Sequence, residues 1–115
     1  MSGVERLPRS RRLTDAAQVR HVVTTGSRSR RTYLEICWTG NTAGHPRLGL
    51  VVAKSRQTGV ARNRLRRRLK ELWRRECQDQ LPAIDVVVRT RREAYQASFA
   101  GLRADMLAWR VMAGE

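Results

Sequence analysis

Residues 54–75 carry a regular apolar pattern inside a dense run of cations. Ten residues of this run are basic and one is acidic, while the whole chain has a formal net charge of +14. Leu65, Leu69 and Leu72 recur at spacings of four and three, and Trp73 follows them. This spacing is typical of one face of an α-helix. The run is therefore predicted to rest on a core by one face and to present cations on the others.

The helix in this run is predicted to begin at Thr58 or Gly59 and to reach about Cys77. At about 100° per residue, the side opposite the leucines is polar. This polar side consists of Asn63, Arg67, Lys70 and Arg74. Arg66 lies beside it, and Arg62 and Arg68 flank the apolar stripe.

Two interpretations of this polar side compete. A helix surface is often charged, and arginine is a good helix former. However, Arg62 and Arg64 lie near the predicted N-terminus of this helix. The positive end of the helix dipole destabilises each of them there by about 0.3 kcal/mol. Arginine also predominates over lysine, and its planar fork suits phosphate. The predicted RNA-binding residues are Lys54, Arg56, Arg62, Asn63, Arg64, Arg66, Arg67, Arg68, Lys70 and Arg74.

Length and composition predict one soluble, cytoplasmic domain over residues 1–115, with 1–11 flexible and 113–115 a tail. The longest apolar stretch, 48–53, is too short to span a bilayer, so no membrane partner is expected. No secretory signal is visible near the N-terminus. Cys37 and Cys77 could bridge, but two buried reduced thiols are the preferred interpretation.

The rest of the chain divides into further predicted elements. Thr14 or Asp15 caps a short helix that Gly26 ends. The apolar stripe of that helix is Ala16, Val19, Val22 and Val23. Strands are predicted over 32–38, 47–53 and 84–90. The C-terminal helix is marked by Phe99, Leu102, Met106 and Trp109.

These elements predict a single two-layer α+β domain of order α-β-β-β-α-β-α. The strand, basic helix, strand unit places two buried strands side by side and parallel. The general rule would make that crossover right-handed.

Arg62-Asn63-Arg64 and the arginines after it resemble the RNR motif of the bacterial ribonuclease P protein family. Arg12-Leu13 before the first helix fits the same family, as do the runs 47–54 and 84–88. The resemblance covers roughly residues 6–112. An RNR triplet alone is a weak signal, but inside this strand-helix-strand frame it is specific.

The resemblance implies a function. Family members are the protein subunit of a ribonucleoprotein that removes the 5′ leader from precursor tRNA. The catalytic ribonuclease P RNA carries out the hydrolysis, and Mg²⁺ is expected on that RNA and the substrate. The protein contacts the RNA through the RNR region and the leader through a cleft. The family also implies a left-handed β-α-β crossover, against the general rule.

The residues agree with a protein that has no catalytic or metal-binding side chains. His21 and His45 lie in different segments without an acid at a useful spacing. No carboxylate cluster could hold two metal ions, as protein nucleases often require.

In the family, aromatic residues on the first helix and first strand line the leader cleft. The positions that match here are Val19, Val23 and Cys37, none of them aromatic. Base stacking is worth about 1–3 kcal/mol per base, so that contribution is lost unless Tyr33 or Trp38 replaces it. Core packing is an equal interpretation of both valines. The predicted cleft residues are Arg12, Val19, Val23, Tyr33 and Cys37.

Other departures and clusters need an interpretation. Ser55 stands where a second lysine often follows Lys54 in the family, and Arg56 could compensate. Trp73 and Trp109 are predicted in the core, whereas Trp38 could lie in the core or stack on bases. The arginines before the first strand are predicted in a flexible RNA-contacting loop; they are Arg28, Arg30 and Arg31.

Three alternatives stay open on the charge pattern. A ribosomal protein would also be small, basic and bound to structured RNA. A self-sufficient nuclease would cut precursor tRNA without RNA. A membrane-active cationic helix is amphipathic too, but the flanking buried strands favour a folded domain.

Overall fold

The apolar runs of the sequence pair in one mixed sheet that the helices cover. The computed structural model describes residues 8–114. Within them the elements are α1 (Ala16–Thr25), β1 (Ser27–Arg30), β2 (Leu34–Gly40), β3 (Arg47–Val51), α2 (Gly59–Leu72), β4 (Ile84–Thr90) and α3 (Phe99–Ala113). Short 3-10 helices at Arg9–Arg11 and Arg92–Gln96 and a π-helical turn at Trp73–Cys77 link them. The α+β class and the order α-β-β-β-α-β-α are confirmed, although the sequence located only three of the four strands.

Strand β4 lies inside the sheet, whose order is β1-β2-β4-β3. It pairs antiparallel with β2 and parallel with β3, so that Leu48 lies opposite Val86. Because two parallel neighbours are joined through α2, the predicted β-α-β unit is confirmed. The left hand of its crossover stays a prediction.

A partly buried ion pair joins the starts of β3 and β4. Arg47 donates from Nε and Nη2 to the two carboxylate oxygens of Asp85, at 2.7 and 2.8 Å. The hydrogen bond to Asp85 raises the pKa of the Arg47 guanidinium. Asn41 Nδ2 donates to the same carboxylate at 2.8 Å. Since all three groups are satisfied, the pair fixes the register of two parallel strands.

The basic segment before β2, predicted as a flexible loop, is strand β1. Its backbone pairs antiparallel with β2, with Arg28 opposite Cys37 and Arg30 opposite Glu35. Ser29 is the buried residue of this strand. The prediction is wrong because polar side chains occupy both faces, so no apolar alternation marks the strand. Pairing with β2 forms it.

The two faces of the sheet carry separate cores, because alternate residues of a strand point to opposite sides. Leu34 and Ile36 of β2 share the larger core with α2 and α3. Cys37 of β2 and Val87 of β4 share a smaller core with Val22 of α1. Two layers, as predicted, enclose the larger core, and α1 adds a partial third layer on the other face.

Helix α1 begins and ends where the sequence predicts. The Asp15 carboxylate accepts a hydrogen bond from the backbone N–H of Ala17 at 2.8 Å, which caps the first turn. Val22 turns its side chain fully into the smaller core. After the helix, a Cβ on Gly26 would lie 2.5 Å from the carbonyl oxygen of Trp38. Glycine at this position lets the chain leave α1 directly against β2.

The tryptophans form one cluster in the larger core. The ring of Trp109 lies 5.8 Å from that of Trp38 in an edge-to-face arrangement and 6.5 Å from that of Trp73 in a stacked one. The predicted core positions of Trp73 and Trp109 are confirmed. Trp38, which the sequence left open, also packs on this core. The ring of Trp38 therefore contacts other core side chains of the protein.

Both cysteines are free and buried, as predicted. Cys37 lies in the smaller core and Cys77 in the larger one, so the sheet separates them. Burial raises the pKa of the Cys77 thiol to about 12. Neither group is therefore placed or ionised for disulfide exchange.

The chain ends were predicted as a flexible segment over residues 1–11 and a tail over 113–115. Of the segment 1–11, residues 1–7 lie outside the described residues, and Arg9–Arg11 form a 3-10 helix. Of the tail at 113–115, Ala113 is the last residue of α3. Across residues 8–114, no helix has the length and apolarity to cross a membrane.

We expect Leu69→Ala to lower the free energy of unfolding by about 2–5 kcal/mol, because Leu69 is fully buried at the centre of α2. Chemical denaturation measures this change. Val60→Ala on the same helix is the matched control, since Val60 is 70% exposed and should shift stability by less than about 0.5 kcal/mol. Equal effects of the two substitutions would mean that α2 is rotated about its axis relative to its orientation in the structure, so that Leu69 does not face the core.

Glu76 ties the π-helical turn to α3 and gives the fold an acid-sensitive contact. Arg103 Nε donates to the Glu76 carboxylate at 2.7 Å, and this bond lowers the pKa of Glu76. A lowered pKa contributes stability above the ordinary value of 4.5, and this contribution is lost as the pH falls through the lowered value. We expect Glu76→Gln to flatten the loss of stability as the pH falls below 4.5. Parallel pH curves for the two proteins would contradict this.

Candidate nucleic-acid interface

A strained turn connects β3 to α2 and presents two of the predicted cations. The backbone N–H of Gln57 donates to the carbonyl oxygen of Lys54 at 2.7 Å. The two central residues, Ser55 and Arg56, have φ angles of 42° and 60°. Left-handed backbone costs a non-glycine residue about 1–2 kcal/mol. Lys54 and Arg56 are both exposed, so the turn adds two cations before α2.

The start of α2 is fixed by Thr58, one of the two predicted starting residues. Its hydroxyl accepts a hydrogen bond from the backbone N–H of Ala61 at 3.0 Å. The first turn contains no acid, so the cap satisfies helix donors without adding negative charge. The helical path then continues through the π-helical turn to Cys77, the predicted end.

Helix α2 rests on the larger core by its leucines and presents the other predicted residues outward. Leu65, Leu69 and Leu72 are 4%, 0% and 1% exposed. None of the ten predicted RNA-binding residues is buried. We call the outermost side of α2 the basic ridge; its residues are Asn63, Arg67, Lys70 and Arg74.

The acid of α2, Glu71, lies at the end of the helix rather than its start. It pairs with Arg74 at 2.9 Å and with Arg75 at 3.6 Å. Exposed pairs of this kind contribute about 0.2–1 kcal/mol. The neutralised charge is therefore at the C-terminal end, and the first three turns keep a purely cationic composition.

One flank of α2 forms a groove with the edge strand β3. The groove has a volume of about 350 Å³, and its lining includes Arg66 and Lys70 of α2, Arg12, Val19 of α1, and Leu50. We call it the β3 groove. Arg12 reaches it because the N-terminal segment pairs with β3 through a backbone bridge. The structure thus brings two predicted cleft residues together with two predicted RNA-binding residues.

The other predicted cleft residues do not line this groove. Val23 packs, partly buried, on the smaller core. Cys37 is 0% exposed and has no surface for a ligand. Tyr33 packs on the larger core, where its ring would lie 2.9 Å from a Cβ on Gly101. Of the five residues predicted to line one cleft, Val19, Val23 and Cys37 thus share the α1 side of the sheet, Arg12 lies beside Val19, and only Tyr33 lies on the other side.

Neither Tyr33 nor Trp38 replaces the missing cleft aromatics. Trp38 alternates with Cys37 along β2 and so points to the opposite face of the sheet from α1. Tyr33 precedes β2, and its backbone N–H donates to Asp105 of α3 at 2.8 Å. That bond fixes Tyr33 on the α3 side of the sheet.

A charged cluster on the α1 side of the sheet was not singled out from the sequence. Glu35 accepts a hydrogen bond from Arg89 at 3.0 Å and lies 3.7 Å from Arg28. Arg28 also donates to the carbonyl oxygen of Val23 at 2.9 Å, which links β1 to α1. The polar positions of β2 and β4 were the available signal, but only the strand pairing shows that they meet. Two arginines thus surround one acid.

Within residues 8–114, no group of three His, Cys, Asp or Glu side chains could hold a metal ion. His21 Nε2 lies 3.5 Å from the Thr25 hydroxyl, and His45 Nδ1 lies 3.2 Å from the Pro46 carbonyl oxygen. The two imidazoles lie in different elements, so they do not form a common site.

A strand, a capped basic helix and a parallel strand now stand in the arrangement that the RNR motif led us to expect. The family model described as Ribonuclease P matches residues 7–113. The chain belongs to the ribonuclease P protein family. Membership makes it a subunit of ribonuclease P, an endoribonuclease ribonucleoprotein, and an RNA-binding role in tRNA processing follows from the family.

Relatives of known function support the assignment. The chain is 37% identical over 110 residues to the ribonuclease P protein component of Corynebacterium diphtheriae, covering 89% of this chain and 92% of the relative. It is 36% identical over 96 residues to that of Methylococcus capsulatus, covering 83% and 74%. The solved Staphylococcus aureus RNase P protein superposes with a TM-score of 0.80 at 18% identity, covering 91% and 98%. That structure shows the shared fold.

We expect Arg67→Ala to weaken binding of ribonuclease P RNA and to make its salt dependence shallower by about one unit of log K per log salt, because one phosphate contact is lost. Arg67 is exposed on the basic ridge. Arg20→Ala is the matched control, since it removes the same charge from the exposed side of α1. Equal salt slopes for all three proteins would argue against the ridge.

Proposed function

We propose that this chain docks its basic ridge on the catalytic RNA of ribonuclease P and holds the 5′ leader of precursor tRNA. The RNA would then carry out the hydrolysis that removes the leader. The observation that carries this proposal is the cationic surface of α2, built on a rigid helix inside the family fold. Its acid, Glu71, is already paired with Arg74 and Arg75.

The physical basis of docking is the release of counterions. Each phosphate that a Lys or Arg neutralises frees condensed cations, so several contacts together give strong, salt-sensitive binding. Arginine adds geometry, because its fork donates two parallel hydrogen bonds to phosphate. Arg64 and Arg67 are exposed on α2, whereas Arg62 is half-buried with its Nε enclosed. Within the RNR triplet, Asn63 of the basic ridge and the exposed Arg64 next to it therefore belong to the surface that we assign to the catalytic RNA.

The β3 groove is the site that we propose for the leader. Arg12, Arg66 and Lys70 supply positive charge for the phosphates, and Val19 and Leu50 supply apolar surface for sugars and bases. Among the described residues 8–114, no aromatic ring lines this groove, so this mode gives no stacking energy. Binding through charge and apolar contact is tolerant of sequence, which suits a leader that differs from one precursor to the next.

Magnesium is proposed to belong to the RNA and substrate. The described residues offer no cluster of acids or histidines for a metal. Mg²⁺ prefers oxygen ligands and retains several waters, which phosphate-rich RNA supplies. The protein's contribution is electrostatic, because its cations reduce repulsion between two polyanions and so lower the Mg²⁺ concentration that their association requires. Two free buried thiols fit a reducing compartment, which supports the cytoplasm as the place of assembly.

Reconstitution tests this proposal directly. The protein is combined with ribonuclease P RNA at a magnesium concentration too low for the RNA alone, and 5′ maturation of precursor tRNA is measured. We expect cleavage with both components together, and cleavage by RNA alone only at high magnesium. The protein alone with magnesium is the essential control.

Two outcomes would contradict the proposal. Cleavage at the mature 5′ end by protein alone would make the chain a self-sufficient nuclease. No change in the magnesium requirement, with binding to ribosomal RNA in place of ribonuclease P RNA, would favour a ribosomal role.

A further inference from the structure

A second groove runs along the other flank of α2, facing the 3-10 helix Arg92–Gln96. Its volume is about 330 Å³, and its walls include Arg64 and Arg68 on one side and Tyr95 on the other. Leu65 and Ala94, both buried, form an apolar floor. We call it the Tyr95 groove. It shares no lining residue with the β3 groove, so α2 separates two binding surfaces.

The two arginines of this groove are available to an anion. Arg64 and Arg68 are one helical turn apart, so their side chains lie side by side. Among residues 8–114, neither pairs with a carboxylate. Glu71, further along the helix, is paired with Arg74 and Arg75. A phosphate seated between the two guanidinium groups would therefore have no competing acid within the groove.

The tyrosine of this groove is held in place before any ligand arrives. The Tyr95 hydroxyl donates to the carbonyl oxygen of Ala53, and the backbone N–H of Ala53 donates to Thr90 Oγ1 at 2.8 Å. Because its hydroxyl is bound at one end, the ring loses little conformational freedom when a base stacks on it. Gln57 at the groove adds an amide that both donates and accepts hydrogen bonds.

We propose that the Tyr95 groove binds one unpaired nucleotide of the catalytic RNA, with its phosphate between Arg64 and Arg68 and its base against Tyr95. The inference rests on the proposed function, because it takes that RNA as the partner. The groove's volume lies at the lower end of the range for small-molecule sites, which is enough for a single nucleotide, and Tyr95 forms its wall while packing, partly buried, on the larger core. Unpaired bases are also the part of RNA that stacks on aromatic side chains.

The first test separates the ring of Tyr95 from its hydroxyl. Tyr95→Phe keeps the ring and loses the bond to Ala53, whereas Tyr95→Leu loses both. We expect Tyr95→Phe, which keeps the ring and loses only its hydroxyl tether, to weaken binding of full-length ribonuclease P RNA less than Tyr95→Leu does. We expect Tyr95→Leu to bind it about 5- to 100-fold more weakly, the size of one lost stacked base. Equal losses in both variants would reduce Tyr95 to a structural role and overturn the proposal.

The second test locates the nucleotide. Ultraviolet irradiation of the wild-type protein with ribonuclease P RNA, followed by mass spectrometry, should find one nucleotide attached to the peptide that contains Tyr95. Arg64→Ala/Arg68→Ala should lose this adduct. The matched control, Arg66→Ala/Lys70→Ala, removes two charges from the opposite flank and should retain it when salt is lowered to give equal occupancy. Both double variants change residues that are not buried, so we expect both to fold, and thermal denaturation checks this.

The outcomes distinguish this proposal from the function on which it rests. Normal RNA binding and low-magnesium activation without an adduct at Tyr95 would overturn only the nucleotide assignment. An adduct formed from the leader of precursor tRNA, with none from ribonuclease P RNA, would overturn it too. Failure of the wild-type protein to bind ribonuclease P RNA would contradict the proposed function itself.

Discussion

The packing of three leucines of α2 against the sheet is the interaction on which the whole surface depends. Like charges four residues apart, such as Arg62 and Arg66, each destabilise a helix by about 0.2–0.5 kcal/mol. An isolated helix of this length is marginal even without that repulsion. Burying each leucine contributes about 1.5–3 kcal/mol, so the core outweighs the repulsion on the opposite side. The fold thereby keeps the cations of α2 closer together than they would be in an unfolded chain. A polyanion that binds to them relieves the repulsion between them.

The elements with strong apolar periodicity were predictable from the sequence, and β1 was not. The spacing of the α2 leucines defines one helix face, and the apolar run of β4 is buried nearly throughout. The apolar run of β3 is less so, because β3 is an edge strand whose Val51 is 42% exposed. Strand β1 contains no hydrophobic residue, and its backbone is extended because β2 lies beside it. Such a strand forms only because a neighbouring strand pairs with it, and the hydrophobic pattern of its own residues does not predict this. The handedness of the crossover likewise belongs to the assembled layers.

The candidate site was predictable where it depends on one helix and less so where it depends on neighbours. None of the cations of α2 is buried, as their spacing predicts, although Arg62, Arg66 and Arg68 are half-buried. The cleft is different, since its members come from several elements and its composition depends on the side to which each strand residue points. Cys37 points inward under α1, and Tyr33 is turned toward α3 by its bond to Asp105. A match of position to a family pattern cannot carry that information.

The turn between β3 and α2 has a mechanical consequence. Two non-glycine residues there hold left-handed backbone, and hydrogen bonds fasten the chain on both sides of them, from Ala53 to Thr90 and from Ala61 to Thr58. Glycine at position 56 would relax the backbone and remove the guanidinium that the turn carries. The turn therefore connects β3 to α2 rigidly and does not act as a hinge. Helix α2 should meet its partner as one rigid body with the sheet, and adaptation between the two surfaces falls to the RNA and to long arginine side chains.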